Sequence, residues 1–124
     1  MPADPHDGNT ARFSPSMRAG DLVFVSGQAS VDEAGRIVPG TFEEEMRRSI
    51  DNVRRVLAAE GLTLADVVKV NAFVRDEDRL GEYNRIYAEY FTDNKPARTT
   101  ITNCLTKQIQ FEVDVVAYVA RSPQ

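Results

Sequence analysis

The chain has 124 residues, 42% of them hydrophobic, with 15 basic against 19 acidic side chains and a net charge of −4. That length suits one domain with a real core. The acidic balance argues against a partner that is nucleic acid or an anionic membrane, because both call for a basic surface. No apolar run is long enough to span a bilayer, the first twenty residues hold no apolar signal core, and Cys104 is the single cysteine. A cytosolic protein without an internal disulfide is the expectation.

Residues 1–11 carry two prolines, a glycine and the only histidine, His6, and almost no large apolar side chain. They read as a mobile tail before a single domain over residues 12–121. Leu22-Val23-Phe24-Val25 is a short β-rich run that ends at Ser26-Gly27-Gln28. It reads as a central strand buried on both faces. The weaker stretch from Phe13 to Arg18 pairs with it as a hairpin across Ala19-Gly20-Asp21. Turn signals at 32–35 and 39–40 bracket a short, optional extended piece.

The first helix has the strongest local signature. Thr41 and Glu44 form a capping box, and Phe42, Met46, Ile50, Val53 and Leu57 fall on one helical stripe. Glu43/Arg47, Glu44/Arg48 and Asp51/Arg55 are acid-before-base pairs at i,i+4. Gly61 supplies the left-handed stop. After a capped turn at Thr63, residues 67–75 switch to period two, with Val68, Val70, Ala72 and Val74 on one side. A second helix over 80–92 follows, stopped by Asn94-Lys95-Pro96. Residues 98–104 are a β-branched run, and 109–120 form a long alternating strand.

The order β-β-(β)-α-β-α-β-β describes an α/β, two-layer domain: a mixed sheet of five to six strands with two helices on one face. Two helices cannot cover both faces, yet the last strand carries apolar side chains on both. The bare face therefore calls for a second copy of the chain.

No phosphate loop, nucleophile elbow, dinucleotide fingerprint or metal-ligand spacing is present, so neither a metal nor a cofactor is expected. With one histidine in the tail, a histidine-based triad is excluded. A polar group inside apolar strands remains. Period two puts Arg98, Thr100, Thr102 and Cys104 on one face, and Glu112 and Asp114 share a face of the last strand. The planar fork of an arginine matches a small carboxylate, and a nearby carboxylate can hold a water. Pattern alone favours Arg98 as a structural partner of Glu112 or Asp114, or as an exposed strand end, over a ligand-binding role. Cys104 reads as a small buried hydrophobe, and Gly27 as a bulge or tight bend.

LVFVSGQ at 22–28, NVRRVLAAEG, LADVVKVNAFVRD, NRIYAEYF and KPARTT at 95–100 resemble, in order, the RidA/YjgF family, once called endoribonuclease L-PSP or translation-inhibitor proteins. The likeness runs from about Phe13 to Ala120. It implies a chorismate-mutase-like fold and a homotrimer with clefts between subunits. It also implies cofactor-free hydrolysis of reactive imines and enamines, such as 2-aminoacrylate, to 2-keto acids and ammonia. In that resemblance Arg98 clamps the substrate carboxylate, Asp114 stands where a glutamate holds the water, and Thr100, Ser26, Gly27, Asn84 and Phe13 border the cleft. The sequence departs from the pattern in three ways. Asp114 is one methylene short, Phe13 replaces a tyrosine, and residues 104–107 lack a Leu-Pro pair. A trimer that binds small carboxylates without efficient chemistry is the alternative. A ribonuclease ranks lowest, given the acidic balance and the missing histidine.

Overall fold

A computed structural model describes residues 12–120. The tail assigned to residues 1–11, with His6, lies outside the described residues. Five strands form one sheet: β1 (Ser16–Ala19), β2 (Leu22–Gln28), β3 (Val67–Val74), β4 (Ala97–Thr102) and β5 (Phe111–Tyr118). Their spatial order is β1-β2-β5-β3-β4. All pairings are antiparallel except β3 with β4, which run parallel. A parallel pair needs a long crossover. Helix α2 (Leu80–Tyr90) supplies it, while α1 (Phe42–Ala59) crosses from β2 to β3.

Both helices pack on the same face. The α1 stripe of Phe42, Met46, Ile50, Val53 and Leu57 is buried against Val23, Val25, Val70, Ala72, Val113, Val115 and Ala117. Phe42 meets Phe111 edge to face at 6.0 Å, and Tyr83 and Ile86 add the α2 contribution. The other sheet face is bare. Met17 is 61% exposed, Phe24 43% and Ile101 46%, and Tyr118 stands beside them. The sequence reading of β2 as buried on both faces therefore holds for Val23 and Val25 but not for Phe24, whose side lacks a covering layer in one chain.

The α1 capping box forms as read. Glu44 N–H donates to Thr41 Oγ1 and Thr41 N–H to Glu44 Oε1. At the other end, Gly61 has φ +76°, and Leu62 N–H reaches back to the Leu57 carbonyl at 2.9 Å. Only one of the three expected i,i+4 pairs forms, Glu43 with Arg47. Glu44 is committed to the cap, so Arg48 donates instead to Ser30 Oγ. Arg55 donates to Asn52 Oδ1, and Asp51 pairs with Arg54. Arg48 thus takes a tertiary partner, while Arg55 and Asp51 take i,i+3 partners on the same helix.

Several details differ from the sequence reading, among them β5, which runs Phe111–Tyr118 where the sequence pattern spans 109–120. The optional extra strand is a single bridge, Val31 with Ile37. A register shift between Val67 and Lys69 breaks the alternation at the start of β3, burying Val67 and exposing Val68. Helix α2 stops at Tyr90. Strand β4 stops at Thr102, because Asn103 and Leu105 both take positive φ. Cys104 lies in that turn and so leaves the strand face assigned to it.

Glu45 is the least expected core residue. It is 2% exposed yet charged. Its carboxylate accepts from Gly40 N–H at 3.2 Å, Gln110 N–H at 3.1 Å and Gln110 Nε2 at 2.8 Å. It thereby ties the approach to α1 to the approach to β5. Removing a buried acceptor leaves its donors unpaired at about 1–3 kcal/mol. Glu45→Ala is expected to lose at least that much in chemical denaturation. Thr41→Ala, which removes only an exposed cap, is expected to lose about 1 kcal/mol.

Candidate functional site

The sheet sorts the polar residues into two groups. Arg98 pairs in register with Val70, and Thr100 with Ala72, both buried on the helix side. Arg98 and Thr100 therefore share the helix-side face. Asp114 pairs with Asn71, and Glu112 with Phe73, one residue out of phase with Val70 and Ala72. These carboxylates stand on the bare face. The alternative in which Arg98 forms an ion pair with Glu112 or Asp114 does not occur within one protomer.

Arg98 rests on an aromatic shelf. Its guanidinium carbon lies 4.7 Å from the Tyr87 ring centroid and 5.1 Å from that of Tyr83, within the range where the ring face attracts a cation. One terminal nitrogen donates to Asn84 Oδ1 at 2.9 Å. The Tyr83 hydroxyl shares a 2.8 Å hydrogen bond with Thr100 Oγ1. Burial raises the phenol pKa of both tyrosines, opposed by the positive charge of Arg98. Both rings stay neutral at physiological pH and present their faces to the cation. One edge of the guanidinium is held by Asn84, and the others keep donors for a planar anion.

In the sequence Arg98, Thr100 and Asn84 stand out as candidates, whereas Tyr83 and Tyr87 read only as core. The available signal was the residue type. Tyrosine at i and i+4 on an apolar stripe, next to Asn84, carries hydroxyls that a plain core does not need.

The second group gathers around Gly27. A Cβ built there would press on the Glu112 carboxylate, so the glycine leaves room for that carboxylate to lie against β2. Glu112 is half-buried, and its pKa is raised, first by burial and then by the negative charge of Asp114. Among the described residues, no donor hydrogen-bonds its carboxylate. Asp114 differs, because its Oδ1 accepts from Asn71 Nδ2 at 2.9 Å. Burial and the charge of Glu112 also raise the Cys104 thiol. It stays protonated, consistent with a packing role. Ser26 is committed locally: its hydroxyl donates to the Ser14 carbonyl at 2.6 Å and its N–H to the Pro15 carbonyl. Phe13 is exposed, and lines a shallow recess with Met17, Phe24 and Ser26.

Gly27 and Ser26 on β2 lie three strand spacings from β4, about 14 Å at ~4.8 Å each. One protomer thus brings together Arg98, Thr100 and Asn84 at one edge. It brings Gly27, Glu112 and Asp114 together on the opposite face, with Ser26 and Phe13 toward the far edge.

Residues 6–119 match the family described as Endoribonuclease L-PSP. The chain belongs to that family, the RidA/YjgF proteins. The mitochondrial protein mmf2 of Schizosaccharomyces pombe is 42% identical over 89 residues, covering 72% of this chain and 70% of its own. The crystal structure of the Escherichia coli YjgF gene product superposes with a TM-score of 0.77 at 29% identity, over 86% of this chain and 87% of that one. Escherichia coli TdcF, solved with bound serine, gives 0.79 at 27% identity over 90% of each chain. These structures share the two helices packed on a mixed five-stranded sheet, so the fold read from the sequence stands. No described helix is long and apolar enough to cross a membrane.

The raised pKa of Glu112 has a consequence for stability. A carboxyl whose folded pKa lies above its unfolded value stabilises the fold fully below the unfolded value. That contribution is lost as pH rises through the folded value. Between pH 4.5, the ordinary value, and neutrality, the parent is expected to lose more thermal stability than Glu112→Gln. Parallel melting curves across that window test it, and identical slopes would contradict it.

Proposed function

We propose that this chain hydrolyses reactive 2-imino and 2-enamino acids to 2-keto acids and ammonia, in clefts formed between copies of itself. The observation that carries this reading is Arg98, a guanidinium held over two tyrosine rings with donors left for a carboxylate. TdcF holds an amino acid, serine, which has the carboxylate such a clamp would grip.

Arg98 fixes the substrate carboxylate, and Asn84 and the tyrosine shelf fix Arg98. That orients the imine carbon toward one water, turning an encounter into a positioned step. The water oxygen bonds to that carbon as the C=N π bond opens and one water proton passes to the nitrogen. The hydroxyl proton of the resulting carbinolamine then passes to the nitrogen as the C=O bond forms and the C–N bond breaks, releasing ammonia and the 2-keto acid. The carboxylate that receives and returns the proton is better assigned to Glu112 than to Asp114. Glu112 has a raised pKa, closer to what a general base needs. Asp114, the residue singled out from sequence, is held by Asn71 and acts through its charge on Glu112.

Arg98 and Glu112 leave opposite faces of one sheet, so a single chain cannot place both on one substrate. A second copy resolves this by bringing its bare face to the Arg98 edge. That face offers Met17, Phe24, Ile101 and Tyr118 for burial, and a closed trimer satisfies every copy equally. Ser26, Gly27 and Phe13 of one copy would then border the cleft whose other wall is Thr100 and Asn84. RNA cleavage is a weaker reading, since a chain of net charge −4 attracts phosphate poorly and its one histidine is His6. The cytosolic expectation belongs to this proposal as well, alongside a relative whose name places it in mitochondria.

Four measurements test the reading. Freshly generated 2-aminoacrylate should release ammonia and pyruvate faster with the protein than without it. Arg98→Ala should lower kcat/KM about 100-fold, and an Arg98→Ala variant as active as the parent would reject the clamp. Glu112→Gln should lower kcat more than Asp114→Asn does, with the reverse order returning the role to Asp114. Sedimentation equilibrium should give three chain masses, shifting toward monomer in Phe24→Asp. If the carboxylate binds but no imine is hydrolysed, the chain is a small-acid binder that retains the clamp without the chemistry.

A further inference from the structure

Beside Arg98 the surface dips into a recess of about 270 Å³, lined by Tyr87, Ala88, Phe91, Lys95, Pro96 and Arg98. Two of these six side chains are cations, and none is acidic. In a chain with more acidic than basic residues, that is a local inversion of charge. The volume falls below the roughly 300–1,000 Å³ of pockets for drug-sized ligands, so the occupant is small. The remaining wall, from Ala88, Phe91 and Pro96, is apolar.

The two cations sit on a stiff mount. Pro96 fixes its own φ and holds Lys95, the residue before it, in extended backbone. Arg98 is pinned by Asn84 and the two rings. Lys95 Nζ spends one donor on the Thr92 carbonyl at 3.3 Å and keeps two. A ligand with a single carboxylate on Arg98 leaves that ammonium unused.

We propose that this recess selects 2-oxo and 2-imino acids that carry a second carboxylate at the end of a short apolar stem. Lys95 reads the second carboxylate, and Ala88, Phe91 and Pro96 pack against the stem. The inference rests on the reading of Arg98 as the clamp for the first carboxylate. It adds to that reading a substrate class and a specificity residue.

Calorimetry on the intact protein tests it with two probes of similar length, 2-oxoglutarate and 2-oxohexanoate, which differ in whether the far end is charged. The parent is expected to bind 2-oxoglutarate about five- to tenfold more tightly, the scale of one charge-assisted contact in a partly open site. Lys95→Met should abolish that preference, and Lys95→Arg should restore most of it. Equal affinities in the parent, or a preference that survives Lys95→Met, would overturn the role of Lys95 while leaving the clamp intact. Failure of both acids to bind would remove the clamp and this inference with it. Imine hydrolysis is read separately, so a binder without activity with the Lys95-dependent preference still supports the recess.

Discussion

Everything in this molecule follows from a sheet covered on one side. Two helices pack against one face, and strand alternation then decides what each residue can meet. Side chains in phase with Val70 and Ala72 go to the helices, and those in phase with Asn71 and Phe73 go to the bare face. The same rule that builds the core from Val113, Val115 and Ala117 leaves Glu112 and Asp114 on the far side. It also leaves an apolar surface containing Phe24, Met17 and Ile101, which water covers poorly.

Much of the fold was legible because its signals are local. The capping box at Thr41, the helical stripe from Phe42 to Leu57 and the stop at Gly61 each need only a few neighbouring residues to be satisfied. The misreadings share the opposite property. Arg48 found a tertiary partner in Ser30 and Arg55 an i,i+3 partner in Asn52, which no i,i+4 rule foresees. Val68 changed sides because of a register shift whose cause lies in the pairing with β5. Cys104 left its strand because the chain turns through two non-glycine residues with positive φ. Glu45 stood in an ordinary acidic first turn, and only the approach of Gln110 from sixty-five residues away makes it a buried tie.

The candidate site shows the same division. Residue type and resemblance named Arg98, Thr100 and Asn84 as candidates, and the fold brings them to one edge. That Arg98 lies on Tyr83 and Tyr87 was not, because those tyrosines fit an apolar stripe equally well as core. The choice between Glu112 and Asp114 also required coordinates. Alternation puts both on one face, and sequence offers no way to know that Asn71 engages one of them while Gly27 makes room for the other.

The separation of the two groups has a physical benefit within one chain. An arginine and a carboxylate that shared a face at this spacing would pair, each satisfying the other, and neither would be left for a ligand. The sheet itself prevents that. Arg98 is held by a neutral amide and two neutral rings, which fix its position without cancelling its charge. Glu112 is half-buried beside another carboxylate, and burial first, then that neighbouring charge, discourage its ionisation and leave its basicity high. In the proposed cleft a second copy must bring the two groups to one ligand, so under that proposal stability of the assembly and formation of the site become the same event.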